Sequence, residues 1–155
     1  MEGPYIVFDV ETPNAANDRI SAIGVTVVSG GRITESFATL VDPEVRFDPF
    51  NIALTGITPA AVAGKPNFPA LWAQLAGLFS SGVLVAHNAD FDCSFMSAAY
   101  ARQQKPFRNT YIDTVTISRS LYKELKNHKL DTVAEHLKVG ELKSTLTEID
   151  KPAQL

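Results

Sequence analysis

The chain has 155 residues, of which 45% are hydrophobic and 20% are charged, and its net charge is −3. This length suits one domain with one core, and the composition excludes a disordered body. The negative charge excludes a protein that grips a long duplex by charge alone, because such contacts depend on lysine and arginine.

The first half of the chain predicts a three-stranded unit followed by a loop and a helix. Runs of apolar and β-branched residues predict strands over 5–10, 20–28 and 32–41. Between the last two strands, Gly30-Gly31 predicts an antiparallel hairpin. Residues 42–51 contain two prolines and are predicted as a loop. Thr58-Pro59 then opens a short helix, with threonine at the cap and proline at the first helical position.

The second half alternates helices with short strands. Apolar residues at helical spacing predict helices over 68–79, 90–104, 114–124 and 130–138. Short strands are predicted at 83–86 and 110–112. This order predicts an α/β fold in which helices cover a mixed sheet.

The targeting signals are those of an intracellular protein. The single cysteine, Cys93, cannot form an intramolecular disulfide and suits a reducing compartment. The first residues lack the basic and apolar regions of a signal peptide, and no apolar run approaches the roughly 18–20 residues of a membrane span. We therefore expect a soluble, cytoplasmic protein without a membrane partner.

Three carboxylates stand where strands end. Asp9 and Glu11 are two residues apart on the first strand, so their side chains share a face. Asp92 follows the buried strand 83–86 at the start of a helix. Charged groups in such surroundings are costly unless they are neutralised, and a hard cation such as Mg²⁺ or Mn²⁺ is a natural partner. Taken singly, each cluster is equally consistent with solvent-facing acids or with helix capping.

Both clusters together resemble a known family. The segments FDVET (8–12) and AHNADFD (86–92) resemble the first two motifs of the DEDD exonucleases. The subgroup is the DEDDh one, which includes the proofreading epsilon subunit of bacterial DNA polymerase III. Further similarity lies in Phe50–Thr58, in Asp113-Thr114 and in 127–132, so that the resemblance covers about residues 4–139.

The resemblance implies a fold, a reaction and a set of site residues. The fold would be a ribonuclease-H-like three-layer α/β/α sandwich with a mixed, mainly five-stranded sheet. Asp9 would bridge two divalent cations, Mg²⁺ or Mn²⁺, and Glu11 and Asp92 would complete their shells. The reaction would be 3′→5′ hydrolysis of single-stranded DNA. The implied nucleotide-contacting residues are Thr12, Leu54, Thr55, Gly56, Ile57, His87, Asn88, Phe91 and Phe95, of which the two phenylalanines equally suit a core.

The implied partners follow from the same family. They are the 3′ end of a single-stranded nucleic acid or the nucleoside monophosphate product, and a polymerase subunit or a second copy of the chain.

The sequence departs from the family at its end. The subgroup's third motif, His-x4-Asp, supplies a general base and a fourth acid, and it is absent here. We expect an exonuclease domain at 1–139 and a divergent or truncated tail at 140–155. The spacing of apolar residues in the tail is compatible with a short helix, which would bring Asp150 toward the metals. Two alternatives stay open: a catalytically weak or inactive nucleic-acid-binding module, and an exonuclease that acts on RNA.

Overall fold

The computed structural model describes residues 3–102 and 110–139. Five strands form one mixed sheet: β1 (Tyr5–Glu11), β2 (Ala22–Ser29), β3 (Arg32–Leu40), β4 (Val83–Ala86) and β5 (Tyr111–Asp113). Their spatial order is β3-β2-β1-β4-β5, so β1 is central. The predicted mixed five-stranded α/β fold is confirmed.

Six helices accompany the sheet in the described ranges: α1 (Pro49–Thr55), α2 (Pro59–Val62), α3 (Phe68–Phe79), α4 (Ala89–Arg102), α5 (Thr114–Leu121) and α6 (Leu130–His136). The prediction of a loop over 42–51 was wrong at its end, because α1 begins at Pro49. Proline is favoured at the first helical position, since its missing N–H has no partner there in any helix. Gly56 then ends α1 in the left-handed conformation, with φ of 75°.

Strand pairing explains why the end of β1 is open. β1 runs antiparallel to β2 along its whole length. Its parallel pairing with β4 covers only the stretch from Tyr5 to Val7. The last residues of β1 therefore run past β4, and the backbone groups on that edge are left for other partners.

The core lies on one face of the sheet. Ile6, Phe8 and Val10 alternate along β1 and are buried against α3 and α4. Edge-to-face aromatic contacts hold this layer together: the ring centroids of Phe8 and Phe79 are 5.4 Å apart. No helix in the described part of the chain is both long and apolar enough to span a membrane.

A second, smaller core lies beside the first, where α1 and α2 meet β2 and β3. Its buried residues are Ala22, Leu40, Phe47, Ile57 and Val62. This core fixes the segment between β3 and α3 against the sheet. The predicted tail helix and Asp150 lie outside the described residues, and the predicted boundary at residue 139 stays a prediction.

Candidate active site

The open face of β1 carries two of the acids. Because side chains alternate along a strand, Val7, Asp9 and Glu11 face away from the core. Asp9 is exposed and Glu11 is half-buried. Both lie beyond the point where β4 stops pairing with β1. The carboxyl end of the central strand therefore presents two carboxylates on one side of the sheet.

Asp92 reaches the same place from the other side of the sheet. It is the fourth residue of α4, which begins directly after β4, and its side chain is only 3% exposed. Its carboxylate accepts a hydrogen bond from the backbone N–H of Val10, on the stretch of β1 that β4 leaves free. Its Oδ1 atom is buried and, within the described part of the chain, has no hydrogen-bond partner. A buried anionic oxygen without a donor is costly.

The three acids repel one another. Burial, followed by the charge of Asp9, raises the pKa of Glu11 from 4.5 to about 7. Burial and the same Asp9 charge raise the pKa of Asp92 from 3.8 to about 8, against the lowering effect of the Val10 hydrogen bond. The cluster thus holds more negative charge than the protein neutralises.

The donor set fits a hard divalent cation. Carboxylate oxygens are the ligands that Mg²⁺ and Mn²⁺ prefer, and a cation would satisfy the orphaned Asp92 oxygen while relieving the repulsion. Among the described side chains, no group of three His, Cys, Asp or Glu residues is already arranged around one ion. The acids are accordingly better suited to holding ions in pairs, with water and phosphate completing each shell.

Asp113 is a fourth acid that the residue patterns did not single out as part of the site. It caps α5 by accepting from the N–H of Val115 at 2.9 Å, and it also accepts from the N–H of Asn88 at 3.1 Å. Its charge contributes to the raised pKa of Asp92. Asn88, a predicted nucleotide contact, has φ of 68°, a left-handed conformation that asparagine tolerates. Asp113 therefore fixes the turn that leads into α4.

Thr12 is tied to α1. The buried Asn51 donates from Nδ2 to the carbonyl oxygen of Thr12 at 3.0 Å and to its Oγ1 at 3.3 Å. Asn51 was not predicted as a site residue, since it fell in a predicted loop. A polar residue one position after the Pro-Phe pair was the available signal, and it became informative only with α1 in place. These bonds attach the helix to the end of β1.

The predicted nucleotide-binding residues around Gly56 are placed in different surroundings. Leu54 is 71% exposed, whereas Ile57 is fully buried in the second core. The Thr55 hydroxyl donates to the carbonyl of Asn51 at 2.8 Å. Among these residues, Leu54 offers the side chain most available to a ligand.

The two predicted phenylalanines differ in what is known of them. Phe95 is fully buried in the main core, with its ring centroid 5.6 Å from that of Phe68. It supports the fold and presents no surface to a nucleotide. The side chain of Phe91 lies outside the described atoms.

His87, another predicted nucleotide contact, has protein partners for both ring nitrogens. Nδ1 is 2.8 Å from Oγ1 of Thr114, and Nε2 is 2.6 Å from the carbonyl oxygen of His128. Because a carbonyl only accepts, Nε2 carries a proton. The ring of His128 continues the chain of contacts, with Nδ1 2.7 Å from Oγ of the buried Ser118. This network ties β4 to α5 and to the loop before α6.

A groove of about 760 Å³ adjoins the acids on the open face of the sheet. Its floor includes Val7, Asp9 and His87, and one wall is formed by Leu130, Val133 and Leu137 of α6. Asp9 thus lies between a polar cluster at the strand end and an apolar cleft.

Fold and site together define a class of protein: an α/β nuclease with a carboxylate cluster at the carboxyl end of a central strand. The exonuclease family model (RNase_T) matches residues 6–144 of this chain. The chain therefore belongs to the exonuclease family, and the family and enzyme class expected from its motifs are confirmed.

The similar curated relatives are PolC-type DNA polymerases III. The chain is 38% identical over 141 residues to that of Caldanaerobacter subterraneus subsp. tengcongensis and 40% identical over 143 residues to that of Clostridium perfringens. In each comparison the match covers 90% of this chain and 10% of the relative. The chain thus spans about a tenth of the length of these polymerases.

Solved structures agree with the fold. A structure of exonuclease X in complex with 5′ overhanging duplex DNA is similar at a TM-score of 0.70 and 25% identity, covering 97% of this chain and 78% of that one. A product-bound structure of exonuclease I is similar at a TM-score of 0.79 and 17% identity, covering 96% of this chain and 41% of that one. The second likeness concerns the fold alone.

Proposed function

We propose that this chain is a divalent-metal-dependent 3′→5′ exonuclease that hydrolyses the terminal phosphodiester of single-stranded DNA in proofreading or repair. The observation that carries the proposal is the convergence of Asp9, Glu11 and Asp92 with excess negative charge and one orphaned oxygen. A purely structural role gives no reason to gather these acids at one strand end, because their mutual repulsion lowers stability.

The cofactors in this proposal are two divalent cations, Mg²⁺ or Mn²⁺. Asp9 would contribute to both, and Glu11 and Asp92 would each complete one shell. When bound, such ions polarise the phosphate, lower the pKa of a coordinated water and stabilise the leaving oxygen. The protein's part is to hold the carboxylates in place: the N–H of Val10 orients Asp92, and β1 aligns Asp9 with Glu11.

Substrate would approach along the end of β1. Thr12 and Leu54 stand beside the acids on segments that Asn51 joins, so they are suited to hold the terminal nucleotide. The products would be nucleoside 5′-monophosphates. Because the similar relatives are PolC-type polymerases III, we further propose that the domain works with a polymerase.

A second candidate is a catalytically weak family member that binds nucleic acid without cutting it. It is favoured by the sequence after residue 139, which contains no histidine. His87 and His128 have ring nitrogens engaged within the protein. His136 lies on the surface, with Nε2 3.9 Å from a carboxylate oxygen of Glu124. A missing general base would lower the rate by roughly 10²–10⁴-fold.

The test uses one oligonucleotide labelled at either end, with Mg²⁺ or Mn²⁺. A 3′→5′ exonuclease gives a descending ladder from the 5′-labelled strand and immediate release of a labelled mononucleotide from the 3′-labelled strand. An RNA of the same sequence tests the RNA-directed alternative. Binding at low salt without any shortening would replace the proposal with the second candidate.

A further inference from the structure

Two apolar side chains on α1 are unusually exposed. Phe50 and Leu54 are 74% and 71% exposed, more than any other large hydrophobic residue in residues 3–102 and 110–139. They are four positions apart on a helix, so they lie on one face, with Cβ atoms about 5–6 Å apart. Together they form an apolar ridge on the surface of α1. A ridge that the protein's own core leaves uncovered is a candidate contact surface.

The ridge is held beside the acids from several points. Asn51, between the two ridge residues, bonds to Thr12 directly after β1. At the start of the helix, the N–H of Asp48 donates to the carbonyl of Pro13 at 2.9 Å, and Oδ2 of Asp48 accepts from the N–H of Ala15 at 3.2 Å. The inner side of α1 packs on the second core through Ile52. The ridge is therefore continuous with the candidate active site and points away from the core.

Charge favours a nucleobase as the occupant. A strand that brings its phosphate to Asp9, Glu11 and Asp92 meets negative charge. Arg46, just before α1, is already paired with Asp48 at 3.1 Å. Affinity on this side must then come from the bases, and every base offers a π-face to an aromatic ring. Successive bases of a strand are spaced about 3.4 Å apart, so a ridge of this length contacts two of them.

We propose that Phe50 is a substrate-contacting residue that stacks on the penultimate base of single-stranded nucleic acid, next to the terminal base contacted by Leu54. This inference rests on the proposed function and adds a second nucleotide subsite to it. Stacking is sequence-tolerant, because it uses the face of the base and not its hydrogen-bonding edge. The subsite would therefore select single strands over paired ends without selecting a base.

The test measures stacking directly, in calcium and under conditions where no hydrolysis is detected. An oligonucleotide carries 2-aminopurine, whose fluorescence is quenched by stacking, at the penultimate position. We expect the full-length chain to quench it, and Phe50→Ala to abolish the quenching and weaken binding about tenfold. Phe50→Trp should retain quenching, and Phe50→Leu, which keeps apolar area without a π-face, should lose it. Ile33→Ala removes a side chain that is 69% exposed on β3 and serves as the matched control.

The outcomes separate this inference from the proposed function. Equal quenching by the native chain and by Phe50→Ala would overturn the inference, as would an equal loss with Ile33→Ala. Absence of quenching with the native chain would also overturn it. The metal-dependent shortening assay is independent of all three, since it reads hydrolysis at Asp9. A chain that shortens DNA with Phe50→Ala at the native KM would keep the function and lose the subsite.

Discussion

Replacing Asp92 with asparagine should make the metal-free protein less sensitive to pH. Asparagine keeps an oxygen for the N–H of Val10 and removes a buried charge from beside Asp9 and Glu11. In the native chain, the folded-state pKa of Asp92 lies near 8, above its ordinary value of 3.8. The folded protein therefore binds this proton more tightly than the unfolded chain. The resulting stability is fully present below about pH 4 and is lost progressively as the pH rises to about 8.

The size of the effect follows from the same shift. Each pH unit between the two pKa values changes the free energy of unfolding by about 1.4 kcal/mol. From pH 6 to pH 9 the native chain should lose about 2–3 kcal/mol through Asp92. Glu11, with its pKa near 7, adds about 1 kcal/mol. Asp92→Asn should therefore retain only the smaller loss, and it should be more stable than the native chain at pH 9.

Urea unfolding in EDTA at pH 6 and pH 9 measures these differences. Glu35→Gln, which removes an exposed acid on β3, is the matched control and should behave like the native chain. Mg²⁺ should raise the native midpoint at pH 9, because metal binding requires the ionised carboxylates, and it should do so less for Asp92→Asn. Equal pH dependence in the native chain and the variant would refute the reasoning about the buried charge.

Three further changes test the supports of the site. Asn51→Ala should lower the free energy of unfolding by about 1–3 kcal/mol and raise KM for oligonucleotides more than it lowers kcat, because it frees α1 from Thr12; urea titration and steady-state kinetics measure both. His87→Phe should cost about 1–3 kcal/mol in thermal unfolding, since the carbonyl that it serves before α6 loses its donor. Gly82→Ala should lower the melting temperature, because a Cβ would overlap the carbonyl that precedes β1, whereas Gly77→Ala, in open space on α3, should be neutral or stabilising by up to about 1 kcal/mol.

Much of the fold was readable because its signals are local. Runs of β-branched residues, the Gly30-Gly31 turn and the helical spacing of 68–79 each determine their own element. α1 was missed because its proline and asparagine also suit a loop, and its attachment to Thr12 is a contact across 39 positions. The second strand was predicted to begin at residue 20, but pairing with β1 starts only at Ala22.

The site was readable only in its chemistry. Alternation along a strand was enough to put Asp9 and Glu11 on one face. Burial of Asp92 depends on where β4 stops relative to β1, and that is a matter of register between distant strands. In the same way, the different surroundings of Leu54 and Ile57 come from the second core, which short-range pattern does not reveal.

The central claim is that Asp9, at the end of β1, makes this chain a metal-dependent 3′→5′ exonuclease. The most direct measurement is the shortening of a 5′-labelled single-stranded oligonucleotide by the native chain, by Asp9→Ala and by Glu35→Gln, with Mn²⁺ and with EDTA. The account predicts a ladder with the native chain and with Glu35→Gln in Mn²⁺, and none with EDTA or with Asp9→Ala. Shortening that survives Asp9→Ala, or an intact oligonucleotide with the native chain in Mn²⁺, would contradict it.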